Sequence, residues 1–264
     1  MRNHREDSLP TQYSDDFYRA FKDRRREPGP SLDIGKLTIQ EAYRIQKQVI
    51  ERRILDGERP VGYKVGCTSK AIRAQFGLLE PVIGRIMAPH LFSDGARLRL
   101  DEFVDCAVEP EFVFRIGTDI TQNFLSSREV ATAIDYISPG IEIHNYLFRY
   151  GTPTSQELIA SNAIHAGLVV GSQRVNTRGL DLDLEGFGIY VDGELEASGI
   201  GAEIMGGPLI SLRWLATKLL DQGEVLRQGD LVIPGSPVRL VSVARPGIVR
   251  STLTHCGSVV ADFC

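Results

Sequence analysis

The chain has 264 residues, 42% hydrophobic and 24% charged, an ordinary composition for a globular protein built as one large domain or a small one beside a larger one. A net charge of −4 argues against nucleic acid or an anionic membrane as partner, and no apolar run reaches the roughly 20 residues a membrane span needs. Four scattered cysteines without a C-x-x-C pair suggest neither a zinc site nor a disulfide framework, and the polar N-terminus lacks a secretory core, so a reduced, cytoplasmic protein is expected.

Residues 1–12 read as loose, followed by a helix over about 13–24 that "RRREPGP" breaks. "LTIQEAYRIQKQVIERRIL" opens with Thr38 and Glu41 at capping-box spacing and carries an apolar stripe of Ala42, Ile45 and Val49. Residues 1–59 are therefore expected to form an N-terminal helical segment and residues 60–264 a second, larger domain.

From residue 60 short strands take over. "VGYKVG" places Lys64 on the same strand face as Gly62 and Gly66, which predicts open space around it. Either it is an exposed strand lysine, or it sits in a cleft that lowers its pKa for proton transfer. "SKAIRAQFG" predicts a short helix with Ser69 as cap and Gly77 as stop, whose first N–H groups could hold a carboxylate.

"AVEPEFVFRI" alternates in a way that predicts one core face, Val108, Phe112, Phe114 and Ile116, and one face with Glu109, Glu111 and Val113. Two like charges on neighbouring same-face positions repel, and burial makes each costlier. A solvated outer face is one reading. The other is a divalent cation, and the dense apolar flanks and a third acid in a similar setting, Glu142 of "PGIEIHNYLF", point to it. His144 can share the face of Glu142, but the five histidines show no metal-ligand spacing, and His144 and His165 each read as structural.

Further on, "SSREVATAIDYI" carries Ser126 and Glu129 at capping-box spacing, and "FGIYVDGELEAS" predicts a hairpin turning at Asp192-Gly193. "GPLISLRWLATKLLDQG" is an amphipathic helix between Pro208 and Gly223 whose Trp214 reads as core. "DLVIPG", "VRLVSVARPG" and "IVRSTLTHCGSVVADF" predict three short strands, and Ser236 in "IPGSPV" suits either a turn or a ligand contact. No strand is followed by a Gly-rich phosphate loop and no serine stands in G-x-S-x-G, which argues against a dinucleotide fold and a common serine hydrolase.

Taken in order, "VGYKVGCTSKAIRAQFGLLEPVIG", the Glu-x-Glu strand, "IEIHN", "SNAIHAGLVVG", the Trp214 helix and "VIPGSP" resemble the fumarylacetoacetate hydrolase superfamily, and most closely its hydratase/decarboxylase branch. The resemblance runs from about residue 38 to the C-terminus. It implies an α+β, β-rich fold: a mixed β-sandwich roll with an N-terminal helical segment. It implies Mg²⁺ or Mn²⁺ on Glu109, Glu111 and Glu142, Lys64 as catalytic lysine, and Thr68, Ser69 and Ser236 at the substrate's carboxylate end.

The implied activity is a carbon–oxygen lyase: a 2-keto-4-pentenoate hydratase-like enzyme acting on a small 2-hydroxy-dienoic or 2-oxo-enoic acid in aromatic catabolism, and homo-oligomeric. A 4-oxalocrotonate-type decarboxylase, a C–C hydrolase and a non-catalytic binding subunit are the alternatives. Hydratases of this branch carry an aspartate just after the Glu-Pro pair, where this chain has Val82; Glu80 is the nearest acid and is taken with Lys64 as catalytic. The branch's Glu-x-x-Asp becomes Glu142-x-x-Asn145, its Asp-Asn pair becomes Ser161-Asn162, and "YGTPTS" replaces a charged loop.

Overall fold

The structure, a computed structural model, describes residues 8–24, 34–123, 126–147 and 152–264. Its helices are α1 Ser8–Asp23, α2 Ile39–Leu55, α3 Lys70–Phe76, α4 Ser127–Ala131, α5 Ser155–Ala160 and α6 Pro208–Asp221. Its strands are β1 Pro60–Gly66, β2 Val82–Met87, β3 Leu91–Ser93, β4 Ala96–Leu98, β5 Ala107–Ile116, β6 Ile134–His144 and β7 His165–Val170, then β8 Gly186–Val191, β9 Glu194–Ile200, β10 Leu231–Ile233, β11 Val241–Ser242, β12 Gly247–Leu253 and β13 Gly257–Phe263.

Local signals account for many of the element ends. Thr38 and Glu41 exchange both capping-box bonds at the start of α2, as Ser126 and Glu129 do at α4. Ser69 caps α3, and Gly77 ends it in the left-handed region at φ 63°. Asp192 and Gly193 both take positive φ between β8 and β9, the signature of a tight hairpin. Two expectations shift: the first helix begins at Ser8, and the last predicted strand is a hairpin, β12–β13, that closes at Gly257 with φ 91°; most of "RRREPGP" lies outside the described residues.

The larger sheet runs β2-β1-β10-β5-β6-β7-β3, with β11 also on β5, and the second sheet runs β4-β13-β12-β8-β9. The apolar face of β5 packs on the second sheet. Phe112 stacks on Phe114 and meets the Phe187 ring edge-on at 4.8 Å, while Val108 joins Ile189, Val249 and Phe263. Burying each such side chain contributes about 1.5–3 kcal/mol.

The larger sheet curls, so Ile86 of β2, Val113 of β5 and Leu168 of β7 share one cluster inside the roll. Its seam is sewn by side chains. Asn162 accepts from the Arg85 backbone N–H at 2.7 Å and donates to the Arg85 carbonyl at 2.9 Å. Gln46 of α2 donates to the carbonyls of Ile83 and Ile159, and Tyr43 accepts from the Ile83 N–H. The helical segment thus closes the edge at β2, where unpaired strand groups would otherwise need water.

Candidate active site

Antiparallel pairing of β5 with β6 sets Glu109 directly opposite Glu142 and Glu111 opposite Gly140. Alternation then gives one shared face: Ala107, Glu109 and Glu111 from β5, and Gly140, Glu142 and His144 from β6. Pairing of β6 with β7 adds His165 opposite His144. This face looks into the roll. Pro110, which has no N–H to donate, falls in the stretch of β5 between its β10 pairing at Phe114–Arg115 and its β11 pairing at Ala107–Val108. The segment from Pro234 to Leu240 bows out there, and the Gly235 N–H donates to Glu111 Oε2 at 3.1 Å.

Lys64 reaches the same face from β1. Its Nζ lies 3.1 Å from Glu142 Oε1, and His165 Nδ1 lies 2.7 Å from that oxygen. Both partners are buried, so Glu142 is held by Oε1 while its Oε2 is left without a hydrogen-bond partner. His144 Nε2 comes within 3.1 Å of Glu109 Oε2 and 3.6 Å of Glu142 Oε2, yet neither ring nitrogen makes an aligned hydrogen bond. Glu111 Oε1 is also buried and unpartnered.

The electrostatics follow. Burial, with the charges of Glu142 and Glu109, pushes the Glu111 carboxyl well above its ordinary value. Burial works to raise Glu142 too, but Lys64, His144 and His165 outweigh it and hold it below the ordinary range. Burial pulls the Lys64 ammonium down, and Glu142 and Glu109 more than offset this, so its pKa stands above the ordinary lysine value. Burial lowers His165 against the opposing bond to Glu142.

The space expected around Lys64 has another occupant. A Cβ on Gly66 would meet Lys64 Nζ at 3.0 Å, one on Gly84 would meet Lys64 Cγ at 2.9 Å, and one on Gly62 would strike the Leu231 carbonyl at 1.9 Å. The glycines admit the lysine's own stem and the neighbouring strand, and Lys64 is 3% exposed. Val82 faces the same gap, its Cγ2 3.2 Å from the Cβ position of Gly66, and otherwise packs with Ala42, Leu78 and Ile159.

Glu80 does not join the cluster. Its carboxylate pairs with Lys218 of α6 at 2.5 Å on the surface, with about half of the side chain exposed. The distal lysine, 138 positions later in the chain, turns it away from Lys64. Thr68 is buried against Gly235, its Oγ1 3.0 Å from that glycine's Cβ position, and so stands beside the Glu111 contact. The hydroxyls of Ser69 and Ser236 serve their own turns, accepting from Ile72 N and Val238 N. Asn145 accepts from Val104 N at 2.9 Å and stays off the cluster. The structure brings His144 and His165, read from sequence as structural, against Glu142; for His144 the i+2 spacing from Glu142 was the available signal.

A divalent cation fits this donor set. Three carboxylates share the face with one ammonium, and Glu109 is the most exposed of these acids, at 19% of its side chain. Two carboxylate oxygens there have no partner, and each buried unsatisfied acceptor costs about 1–3 kcal/mol. Donor atoms of Glu109, Glu142 and His144 all lie within 4.8 Å of one another.

No family model matches the chain. It is 32% identical to 2-keto-4-pentenoate hydratase of Paraburkholderia xenovorans over 86% of this chain and 84% of that protein. It is 32% identical to 4-oxalocrotonate decarboxylase of a Pseudomonas species over 84% and 86%. The solved 4-oxalocrotonate decarboxylase from Pseudomonas putida G7, complexed with magnesium and adipate, superposes with TM-score 0.91 at 25% identity over 98% of both chains. Fumarylpyruvate hydrolase from Pseudomonas aeruginosa, in complex with Mn²⁺ and pyruvate, shares the fold at TM-score 0.58 and 16% identity over 77% of this chain and 88% of that one.

Proposed function

Because this chain belongs to the hydratase/decarboxylase branch of the fumarylacetoacetate hydrolase superfamily, we propose that it is a metal-dependent hydratase of a small 2-hydroxy-dienoic acid, of the 2-keto-4-pentenoate type. The observation that carries this reading is the buried pair of Lys64 and Glu142 beside carboxylate oxygens that no protein group satisfies. Glu109, Glu111 and Glu142 would hold Mg²⁺ or Mn²⁺, and the cation, when bound, supplies Lewis-acid stabilisation of a 2-oxo enolate.

The chain's own groups do the rest. His165 and Lys64 fix Glu142 through one oxygen, which orients the other into the face. Lys64 Nζ moves the proton as the dienol becomes the conjugated ketone. Thr68 and the Gly235 backbone line the side that receives the substrate's carboxylate end, with Ser69 and Ser236 in the adjoining turns. Water then adds across the conjugated double bond, giving a 4-hydroxy-2-oxo acid.

A second reading, decarboxylation of a 4-oxalocrotonate-type acid, is favoured by one observation. Val82 stands in an apolar cluster where hydratases of the branch carry an acid, and Glu80 is committed to Lys218. Decarboxylation reaches the same enolate without a water-activating group. Ultraviolet absorbance of 2-hydroxypenta-2,4-dienoate with Mg²⁺ or Mn²⁺ is expected to fall with hydration, and 4-oxalocrotonate is expected to release little CO₂. The reverse outcome assigns the decarboxylase, and no turnover of either assigns neither. Cytoplasmic residence and a homo-oligomer belong to the same reading. The second sheet exposes Leu195, Ile200 and Ile248, and light scattering is expected to give a mass above the 29.2 kDa of one chain.

A further inference from the structure

Resting on the metal-centre reading above, we propose that His144 is a nitrogen donor to the same cation, which makes a carboxylate site into a mixed oxygen–nitrogen one that favours Mn²⁺ and later first-row ions over Mg²⁺. The sequence alone pointed to oxygen ligation. Three observations on the folded chain change the donor set.

The first is position. His144 follows Glu142 by two residues on β6 and stands diagonally from Glu109 on β5, so its ring lies over the acidic face. One of its ring nitrogens groups with donor oxygens of Glu109 and Glu142 within 4.8 Å, and Nε2 stands 3.1 Å from Glu109 Oε2 and 3.6 Å from Glu142 Oε2. The two Nε2 distances fall within the range of about 3.0–4.2 Å over which two donors with bonds of about 2.1 Å share one ion.

The second is isolation. His144 is 1% exposed, and both ring nitrogens lack a hydrogen-bond partner. The other ring at this face is different: His165 commits Nδ1 to Glu142. Away from the site, His255 commits Nδ1 to Glu185. A buried imidazole whose nearest carboxylates are too poorly aligned to hydrogen-bond it is costly unless it serves as a ligand.

The third is the neighbouring acid. Glu111 Oε2 is occupied by the Gly235 N–H, so Glu111 offers Oε1 alone. Imidazole nitrogen is a donor that Mn²⁺, Fe²⁺ and Co²⁺ accept and Mg²⁺ seldom takes, and affinity for nitrogen-containing sites rises along the first row. An alternative role for His144, a hydrogen bond that merely positions Glu109, would leave the donor set all-oxygen.

Pulsed electron paramagnetic resonance on the Mn²⁺-loaded protein separates the two roles without any turnover. Coordinated imidazole couples its ¹⁴N nucleus to the Mn²⁺ spin, and a hydrogen bond to a ligand does not. The expected result is ¹⁴N modulation in wild type, replaced by the ¹⁵N pattern when histidine is ¹⁵N-labelled, retained in His165→Gln and lost in His144→Ala. Calorimetry on His144→Ala is expected to show Mn²⁺ affinity down by about tenfold or more, with Mg²⁺ affinity changed less than about threefold. If His144→Ala does not fold, the labelled wild type and His165→Gln still decide. Mn²⁺ bound without ¹⁴N modulation, or modulation that disappears in His165→Gln and persists in His144→Ala, overturns the assignment while leaving the metal centre standing. No Mn²⁺ binding by wild type overturns both.

Discussion

Glu185 and Glu111 are both buried carboxylates, and they are treated in opposite ways. Glu185, just before β8, is fully satisfied by the β12–β13 turn: Oε1 accepts from His255 N at 2.6 Å and Cys256 N at 3.2 Å, and Oε2 meets His255 Nδ1 at 2.8 Å. Glu111 has one backbone N–H on one oxygen, nothing on the other, and two further carboxylates on its face. The first arrangement locks a hairpin. The second leaves one buried acceptor oxygen without a partner, a cost that protonation or a bound cation would offset. Burial of an acid is therefore not the mark of a site; burial without enough partners is.

Substitutions that treat the two regions differently sharpen the contrast. The largest effect is expected at the acidic face: Lys64→Ala should lose about 10²–10⁴-fold in turnover, or about 3–5 kcal/mol of transition-state stabilisation, while metal binding persists. Steady-state rates beside a Mn²⁺ titration check it, and near wild-type turnover would remove the lysine from the mechanism. Glu185→Gln should cost about 1–3 kcal/mol of stability, read from urea unfolding, because it weakens a satisfied network and leaves metal affinity unchanged. Smaller still, Thr38→Ala should cost about 1 kcal/mol by removing the α2 capping box, with neither site disturbed.

The subtlest effect is one of sign. Glu111 binds its proton more tightly in the folded, metal-free protein than in the unfolded chain, because burial and two neighbouring acids raise its pKa. Its contribution to stability is complete below the ordinary value of 4.5 and is lost as pH rises through the raised one. Glu142 is lowered, so its contribution changes only below 4.5 and is constant above. Between about pH 5 and about pH 8 Glu111 makes melting of the metal-free protein fall with pH, while the lowered His165 and His90 make it rise below about 6.5, so Glu111→Gln should shift the slope toward stability that rises with pH. An equal slope in the variant would assign the dependence to other groups.

What could be read from the sequence was what depends on near neighbours. The capping boxes at Thr38 and Ser126 act over three residues, the Asp192-Gly193 turn over two, and the shared face of Glu109 and Glu111 needs only alternation. The rest depends on pairings between distant segments. Glu142 faces Glu109 because of the β5–β6 register, and Lys64 meets Glu142 only after β10 inserts between β1 and β5 and the sheet curls. No local pattern shows that Lys218 captures Glu80, or that the glycines around Lys64 make room for its own stem. His165 joins the site through the β6–β7 pairing, after Asn162, Ala163 and Ile164 run in succession at positive φ, a conformation the amino-acid types there do not suggest.

The central claim, that the unsatisfied buried acids form a cation site and the satisfied one does not, is tested most directly by calorimetric titration of Mn²⁺ into wild type, Glu111→Ala and Glu185→Gln. One site per chain is expected in wild type and in Glu185→Gln with matching affinity, and binding weakened by about tenfold or more in Glu111→Ala. Equal affinity in wild type and Glu111→Ala would contradict it.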